Sequence, residues 1–439
     1  MQHTDTKTAT MGLIGACALG IGGMIGAGIF SILGVVGGIA GSAAWISFLG
    51  AGILAAFCGY NFARMGATYP TSGGPVEFLV RGLGNNRVSG SLNIMLWLGY
   101  VLALSLYASA FSGYAAALIQ QDQSEQAFWL QPLISVAVVV LFLGLNVIGS
   151  AAVGKAESAI VAIKLTILIG FVGLTAQYIQ PELLSMTNWS APTALAFSLG
   201  TTFLAYEGFG LITNAAGSMK NPAKTLPRAI YISIAVTIVV YILVALATFG
   251  NLSADAIAEK AEYALAAAAK PALGQMGFTI MGVAALFSTA SAINATLFGG
   301  ANVSFQVAHD RQMPALFDHK TWLGAKWGLY ITAVLVAVLA ALVPLEAIAN
   351  TGSAAFLMIY TGVGYAHLNV RSKTGGKTWL IWVSIVACLI VLCLLLTYLL
   401  KSDLASLIGV GALLIISIII ELIYHHYRGK IKMHAHSNG

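Results

Sequence analysis

Charge is what this 439-residue chain has least of. Asp, Glu, Lys and Arg together make up 8% of it, against about 25% in soluble domains. Hydrophobic residues reach 59%, well above the usual ~45–50%. So little charge cannot cover a soluble surface, so the composition predicts an all-α polytopic membrane protein. Its apolar runs are long and continuous rather than short and alternating, which excludes an outer-membrane barrel. Cysteine is scarce: Cys17, Cys58, Cys388 and Cys393 all fall inside apolar runs. That excludes a disulfide framework and leaves them as small apolar fillers. The eight histidines lie mostly in loops or termini, four of them (His425, His426, His434, His436) in the tail. No Ser/His/Asp, Cys/His or metal-ligand constellation converges, so the sequence predicts no enzyme, metal or cofactor. The tail reads as a basic segment at the lipid surface. The first ten residues, MQHTDTKTAT, are polar and precede an apolar run without a small-residue cleavage site, as expected of an uncleaved first helix.

Hydropathy predicts twelve spans, near residues 11–36, 40–66, 91–119, 129–150, 156–178, 193–219, 228–250, 275–307, 327–344, 350–370, 378–400 and 404–425. Basic residues test their orientation. With the N-terminus inside, 17 of the 21 Lys and Arg lie on the cytoplasmic side, among them Arg64, Arg81, Arg87, Lys220, Lys224, Arg228, Arg311, Lys373, Arg428 and Lys430. Only Lys260, Lys270 and Lys401 lie outside, beside Asp122, Glu125, Glu182, Asp255, Glu259, Glu262, Glu346 and Asp403. Both termini inside satisfies the positive-inside rule. The net charge of +6 is thus a topology signal and gives no reason to expect nucleic acid. The longest external stretch, 251–274, reads as a short surface helix before the eighth span. No soluble domain is predicted, which disfavours a sensor that binds a ligand without moving it.

Glycine is abundant where it should be rare. Residues 20–30, GIGGMIGAGIF, hold five glycines in the first span. Each costs a helix about 1 kcal/mol against Ala. The sixth span carries Gly208, Gly210 and a charged Glu207 within TTFLAYEGFGLITN. Two interruptions five spans apart fit inverted-repeat transporters, whose broken helices offer backbone groups to a ligand. The competing reading is tight helix packing, for which small residues also serve. Lys164 sits mid-span in SAIVAIKLTILIG, and an intramembrane lysine is a functional candidate.

Four segments together resemble the amino acid–polyamine–organocation (APC) transporter superfamily. They are GIGGMIGAGIF, ATYPTSGGPVEFLVRGLG (67–84), FLAYEGFGLITNAAGSMKNPAKTLPRAI (203–230) and STASAINATLFGGANVSFQVAHDRQMP (288–314). The match is nearest its ApcT-like and YbaT-like prokaryotic amino acid permease branch. The resemblance implies a LeuT-type fold, a 5+5 inverted repeat with broken helices 1 and 6. Its first repeat covers 1–180 and its second 190–372, followed by two further helices (376–428) and a cytoplasmic tail (429–439). It implies alternating-access transport of an amino acid substrate across the cytoplasmic membrane, by symport with protons (H+). An exchanger or a polyamine or cationic amino acid carrier is the alternative. The only other partner expected is membrane lipid, around a monomer or weak homo-oligomer.

The resemblance also places a substrate site. Amides of Gly26, Ala27 and Gly28 receive the carboxylate. Carbonyls near Met24, Phe203, Leu204 and Glu207 receive the amine, and Ile25 and Tyr206 lie alongside. Lys164 takes the place of a coupling ion, near Gly22, Gly23 and Ile25 and the hydroxyls of Ser288, Thr289 or Ser291. That argues against sodium coupling and leaves a proton carrier or a fixed strut. Glu207 has three readings: a reader of a cationic substrate group, a proton site, or a structural hydrogen bond. Tyr107, Phe203, Tyr206 and Phe298 are candidate lining or gating residues, with plain core packing the competing reading for each. Pro222 and Pro227 are expected to end one helix and start the next.

Overall fold

The computed structural model describes residues 11–120, 128–148, 153–321 and 324–437, with side chains except those of Ala27, 153–157 and 427–437. The N-terminal decapeptide, Asp122 and Glu125, and the side chains of His434 and His436 therefore lie outside the described residues. Named elements are helical throughout. The first group is α1 (Leu13–Ala40), α2 (Ala44–Thr68), α3 (Pro75–Leu83), α4 (Arg87–Ile119), α5 (Leu130–Ile148) and α6 (Val153–Thr175). Next come α7 (Pro192–Phe203), a 3-10 segment Leu204–Gly210, α8 (Leu211–Asn214), α9 (Pro222–Asn251), α10 (Ala254–Glu259) and α11 (Ala264–His309). The chain closes with α12 (Trp327–Leu342), α13 (Leu345–Thr374), α14 (Thr378–Ser402) and α15 (Leu404–Ser437).

Among the described residues, ten helical stretches are long and apolar enough to cross a bilayer. Two of the twelve expected spans fall outside that set. At 16 residues α12 is short. The 30 residues of α13 are long enough but include Asn350, Thr351, Ser353 and His367. Together these helices make a multi-pass membrane protein.

Sequence sets the layers. Most of α1 is buried, above all from Gly20 on; it packs against α9, α11, α6, α7 and the 3-10 segment. By contrast, α5, α6, α14 and α15 show open rows of large apolar side chains, such as Leu133, Ile163, Ile169, Trp382, Ile390, Ile415 and Ile419. Apolar faces that extensive are excluded from a water-facing monomer and fit lipid. The 67–84 stretch contains the amphipathic α3, whose Pro75 opens it and whose Val76, Phe78 and Leu79 are buried. Asn86 caps α4 by accepting from the amides of Val88 (2.9 Å) and Ser89 (3.1 Å), satisfying donors that a helix start leaves unpaired. The 251–274 stretch is more helical than expected, holding α10 and the opening of α11. Gly274, at φ 64°, divides α11 just before the expected span; a left-handed residue there favours glycine. Pro222 does open α9, but Pro227 lies inside that helix.

Candidate functional site

The expected break in span one is corrected by the structure. Residues Leu13–Ala40 form one uninterrupted α-helix, so the amides of Gly26, Ala27 and Gly28 are engaged in its i→i−4 ladder. No open carboxylate cradle exists there in this state. The glycines instead let neighbours approach. A Cβ on Gly26 would lie 2.5 Å from that of Ala292 on α11. One on Gly28 would lie 2.7 Å from the Ala205 carbonyl oxygen and 2.3 Å from the Tyr241 hydroxyl. Span six does change character where expected. Its helix tightens to 3-10 over Leu204–Gly210, and Gly208 lies directly on the Gly23–Met24 peptide of α1.

Polar side chains from three other helices fasten onto α1 here. Lys164 on α6, 2% exposed, donates from Nζ to the Gly22 carbonyl at 3.0 Å. Ser288 on α11 donates to the Ile25 carbonyl at 3.0 Å. A helical carbonyl keeps a second lone pair for such a bond. Of the expected ion-site group, Lys164, Gly22, Ile25 and Ser288 are thus brought to one stretch of α1. Thr289 instead bonds within its own helix, to the Ala285 carbonyl at 2.7 Å. Ser291 is buried nearby on α11. The single Tyr241 hydroxyl reaches both the Met24 and Ala205 carbonyl oxygens, tying α9 to the α1–span-six contact.

Glu207 is 1% exposed. Tyr107 on α4 donates to its Oε1 at 2.9 Å, while its Oε2 is buried without a hydrogen-bond partner. Tyr360 on α13 donates to the Glu207 backbone carbonyl at 3.1 Å. Aromatic rings enclose the segment. Tyr360 meets Phe62 (4.8 Å between centroids), Phe209 (5.3 Å) and Phe203 (5.5 Å). Leu204, also buried, lies toward Gly352 of α13. Two lining candidates are corrected. Tyr206 points its hydroxyl at the Phe48 carbonyl of α2, 2.8 Å away, and packs edge-on against Tyr241. Phe298 is 47% exposed on the outside of α11.

A second buried polar chain escapes the sequence reading. On α13, His367 places Nδ1 2.8 Å from Asn61 Oδ1 and Nε2 2.8 Å from Thr374 Oγ1. The Asn61 amide nitrogen donates to Ser384 Oγ at 3.0 Å, so its oxygen accepts from an Nδ1–H. Beyond Ser384 stand the thiols of Cys58 and Cys388, 3.3 Å apart; these two cysteines belong to a polar cluster and are more than apolar fillers. Glu421, buried on α15, is likewise unforeseen. The rule that flagged Lys164, an ionisable residue within an apolar span, applied equally to His367 and Glu421.

A bundle of apolar helices that gathers a lysine, a carboxylate and helix carbonyls at its buried centre has the architecture of a membrane transport protein. The chain belongs to the amino acid permease family, whose family model matches residues 11–424; it is a permease, not an enzyme. It is 34% identical over 426 residues to the inner membrane transport protein YbaT of Escherichia coli, covering 96% of this chain and 98% of that one. It is 38% identical over 425 residues to the protein MJ0609 of Methanocaldococcus jannaschii, with 96% of both covered. The serine/threonine exchanger SteT of Bacillus subtilis is 27% identical over 321 residues, covering 71% of this chain and 72% of its own.

Proposed function

We propose that this permease moves amino acids across the cytoplasmic membrane by alternating access, as a proton symporter with both termini inside. The frame is the LeuT-type arrangement of twelve spans, in which α12 and α13 serve as the ninth and tenth. The substrate sits between span one and the 3-10 segment of span six, with its carboxylate toward Gly26–Gly28 once that contact opens. The family supports amino acids as substrate. The observation that carries the coupling is the buried Lys164 amine on the Gly22 carbonyl. Taking up and releasing a proton at this amine would bias which side of the bundle opens.

The test is uptake of a labelled amino acid panel into sodium-free proteoliposomes, with and without an inward proton gradient. Accumulation should collapse with the gradient, and Lys164→Gln should leave a slower uptake that no longer responds to it. Sodium-dependent uptake, or a gradient response retained in Lys164→Gln, refutes the coupling role. The second reading is exchange, with Lys164 as a fixed strut, supported by the likeness to the exchanger SteT. It requires uptake only when the lumen is preloaded.

A further inference from the structure

Where α4 ends and α5 and the spanning part of α11 begin, the chain encloses a cavity of about 400 Å³, within the ~300–1,000 Å³ usual for ligand sites. Its charge is one-sided. Lys260 and Lys270 line it and no Asp or Glu does. Among the described residues neither lysine forms an ion pair. The Glu262 carboxylate, beside the lining Gln131, already accepts that side-chain amide at 2.6 Å. The bend at Gly274 places Lys270 over Phe278, with Nζ 5.9 Å from the ring centroid, which holds one ammonium at the cavity wall. Gln120 and Gln275 add amide donors. Two ammonium groups and amide donors without a carboxylate suit an anion. Basic residues are scarce on the outer face of a membrane protein, so two of the three that the proposed orientation puts there meeting at one cavity calls for a ligand.

The rim narrows the anion's source. Phe128, which lines the cavity, is 95% exposed, and its neighbour Trp129 is exposed too, as are Met276 and Ile280 on α11. Aromatic residues at the end of a span mark the headgroup level. A small hydrated anion would leave that apolar edge bare, whereas acyl chains cover it. We propose that the cavity binds the headgroup of an anionic glycerophospholipid, with its phosphate on Lys260 and Lys270 and its acyl chains over the Phe128–Trp129 edge. Basic pockets between spans hold anionic headgroups in this way. The outer leaflet follows from the orientation proposed above; the binding itself is independent of what is transported.

Near a membrane surface each lysine favours an anionic lipid about fivefold, and two together about 30-fold. The test titrates lipid into delipidated full-length protein in detergent, followed by native mass spectrometry. Phosphatidylglycerol should fill one site about 30-fold more tightly than phosphatidylcholine with the same acyl chains. Lys260→Gln/Lys270→Gln should remove that preference, Lys260→Arg/Lys270→Arg should restore it, and Lys401→Gln, outside the cavity, should leave it intact. Both lysines are at least partly exposed, so the fold does not depend on them. Equal binding of the two lipids overturns the proposal. So does a preference unchanged in Lys260→Gln/Lys270→Gln, or one lost equally in Lys401→Gln. Inorganic phosphate that takes the lipid's place at equal concentration keeps the anion site and rejects the lipid as its occupant.

Discussion

Gly208→Ala isolates the contact on which the centre of this bundle depends. A Cβ at residue 208 would lie 2.4 Å from the Gly23 carbonyl carbon and 2.4 Å from the Met24 nitrogen, where ordinary contact begins at 3.4 Å. Spans one and six would have to part by about 1 Å. Both obstructing atoms are backbone, so no rotamer change relieves the clash. Overpacking of this kind costs about 1–3 kcal/mol. Removing a glycine from the unfolded chain returns about 0.4–1 kcal/mol. The net loss is therefore about 1–2 kcal/mol, roughly a 5- to 30-fold change in the folded-to-unfolded ratio. Gly170→Ala on α6 and Gly411→Ala on α15 are the controls, since a Cβ at either meets nothing within 4 Å. Thermal unfolding in detergent, followed by a thiol-reactive dye that reads exposure of the buried Cys58 and Cys388, should place Gly208→Ala below wild type and both controls at or above it. If Gly208→Ala is as stable as the controls, the backbone contact between the two spans is not what the glycine is for.

Two further outcomes follow from the polar groups. His367→Ala strands Asn61 Oδ1 and frees Thr374 within buried surroundings. At about 1–3 kcal/mol for a stranded group, with a cavity in addition, it should lower thermal stability more than Gly208→Ala does; an effect no larger than that of the two glycine controls would refute the network. Just past α11, Asp310 accepts from Gln306 at 3.3 Å. Burial, the largest influence, pushes its carboxyl above the usual aspartate range; the Gln306 bond lowers it, the nearby Glu77 charge raises it and His309 lowers it. A raised acid holds its proton more tightly folded than unfolded, so this residue's contribution to stability is lost as pH rises through that window. Melting curves across about pH 4–6 should show Asp310→Asn flattening that decline, and a parallel curve would contradict the assignment.

Much of this was legible because the bilayer makes few residue patterns affordable. Ten spans follow from apolar length alone. Lys164 and Glu207 stood out because charge in an apolar run has no cheap explanation. Span one was misread because glycine density has two physical meanings, a weak helix or a close neighbour. The neighbours that decide between them, Ala205, Gly208, Tyr241 and Ala292, lie 177 to 266 positions away in the chain. Tyr206 and Phe298 were open between lining and packing for a related reason. Whether an aromatic side chain faces the pocket or the lipid depends on helix rotation, and both α11 and the 3-10 segment lack a strong one-sided pattern. His367 was missed despite sitting within an expected span, because its partner Asn61, and Ser384 beyond it, come from α2 and α14.

The two meanings of the glycines are also linked by energetics. Gly20, Gly22, Gly23, Gly26 and Gly28 leave α1 about 5 kcal/mol poorer in helix propensity than an alanine sequence. The helix is nonetheless continuous, so its neighbours must supply the difference. They do so at close range: Gly208 on the Gly23–Met24 peptide, Ala292 against Gly26, Ala205 and Tyr241 against Gly28. Lys164 and Ser288 hold two of its carbonyls. Each of these supports belongs to another helix, so separating α1 from span six, α9 or α11 removes support at the segment least able to stand alone. Weak helix propensity and close packing thus belong to the same residues, and α1 stays helical because its neighbours are in contact with them.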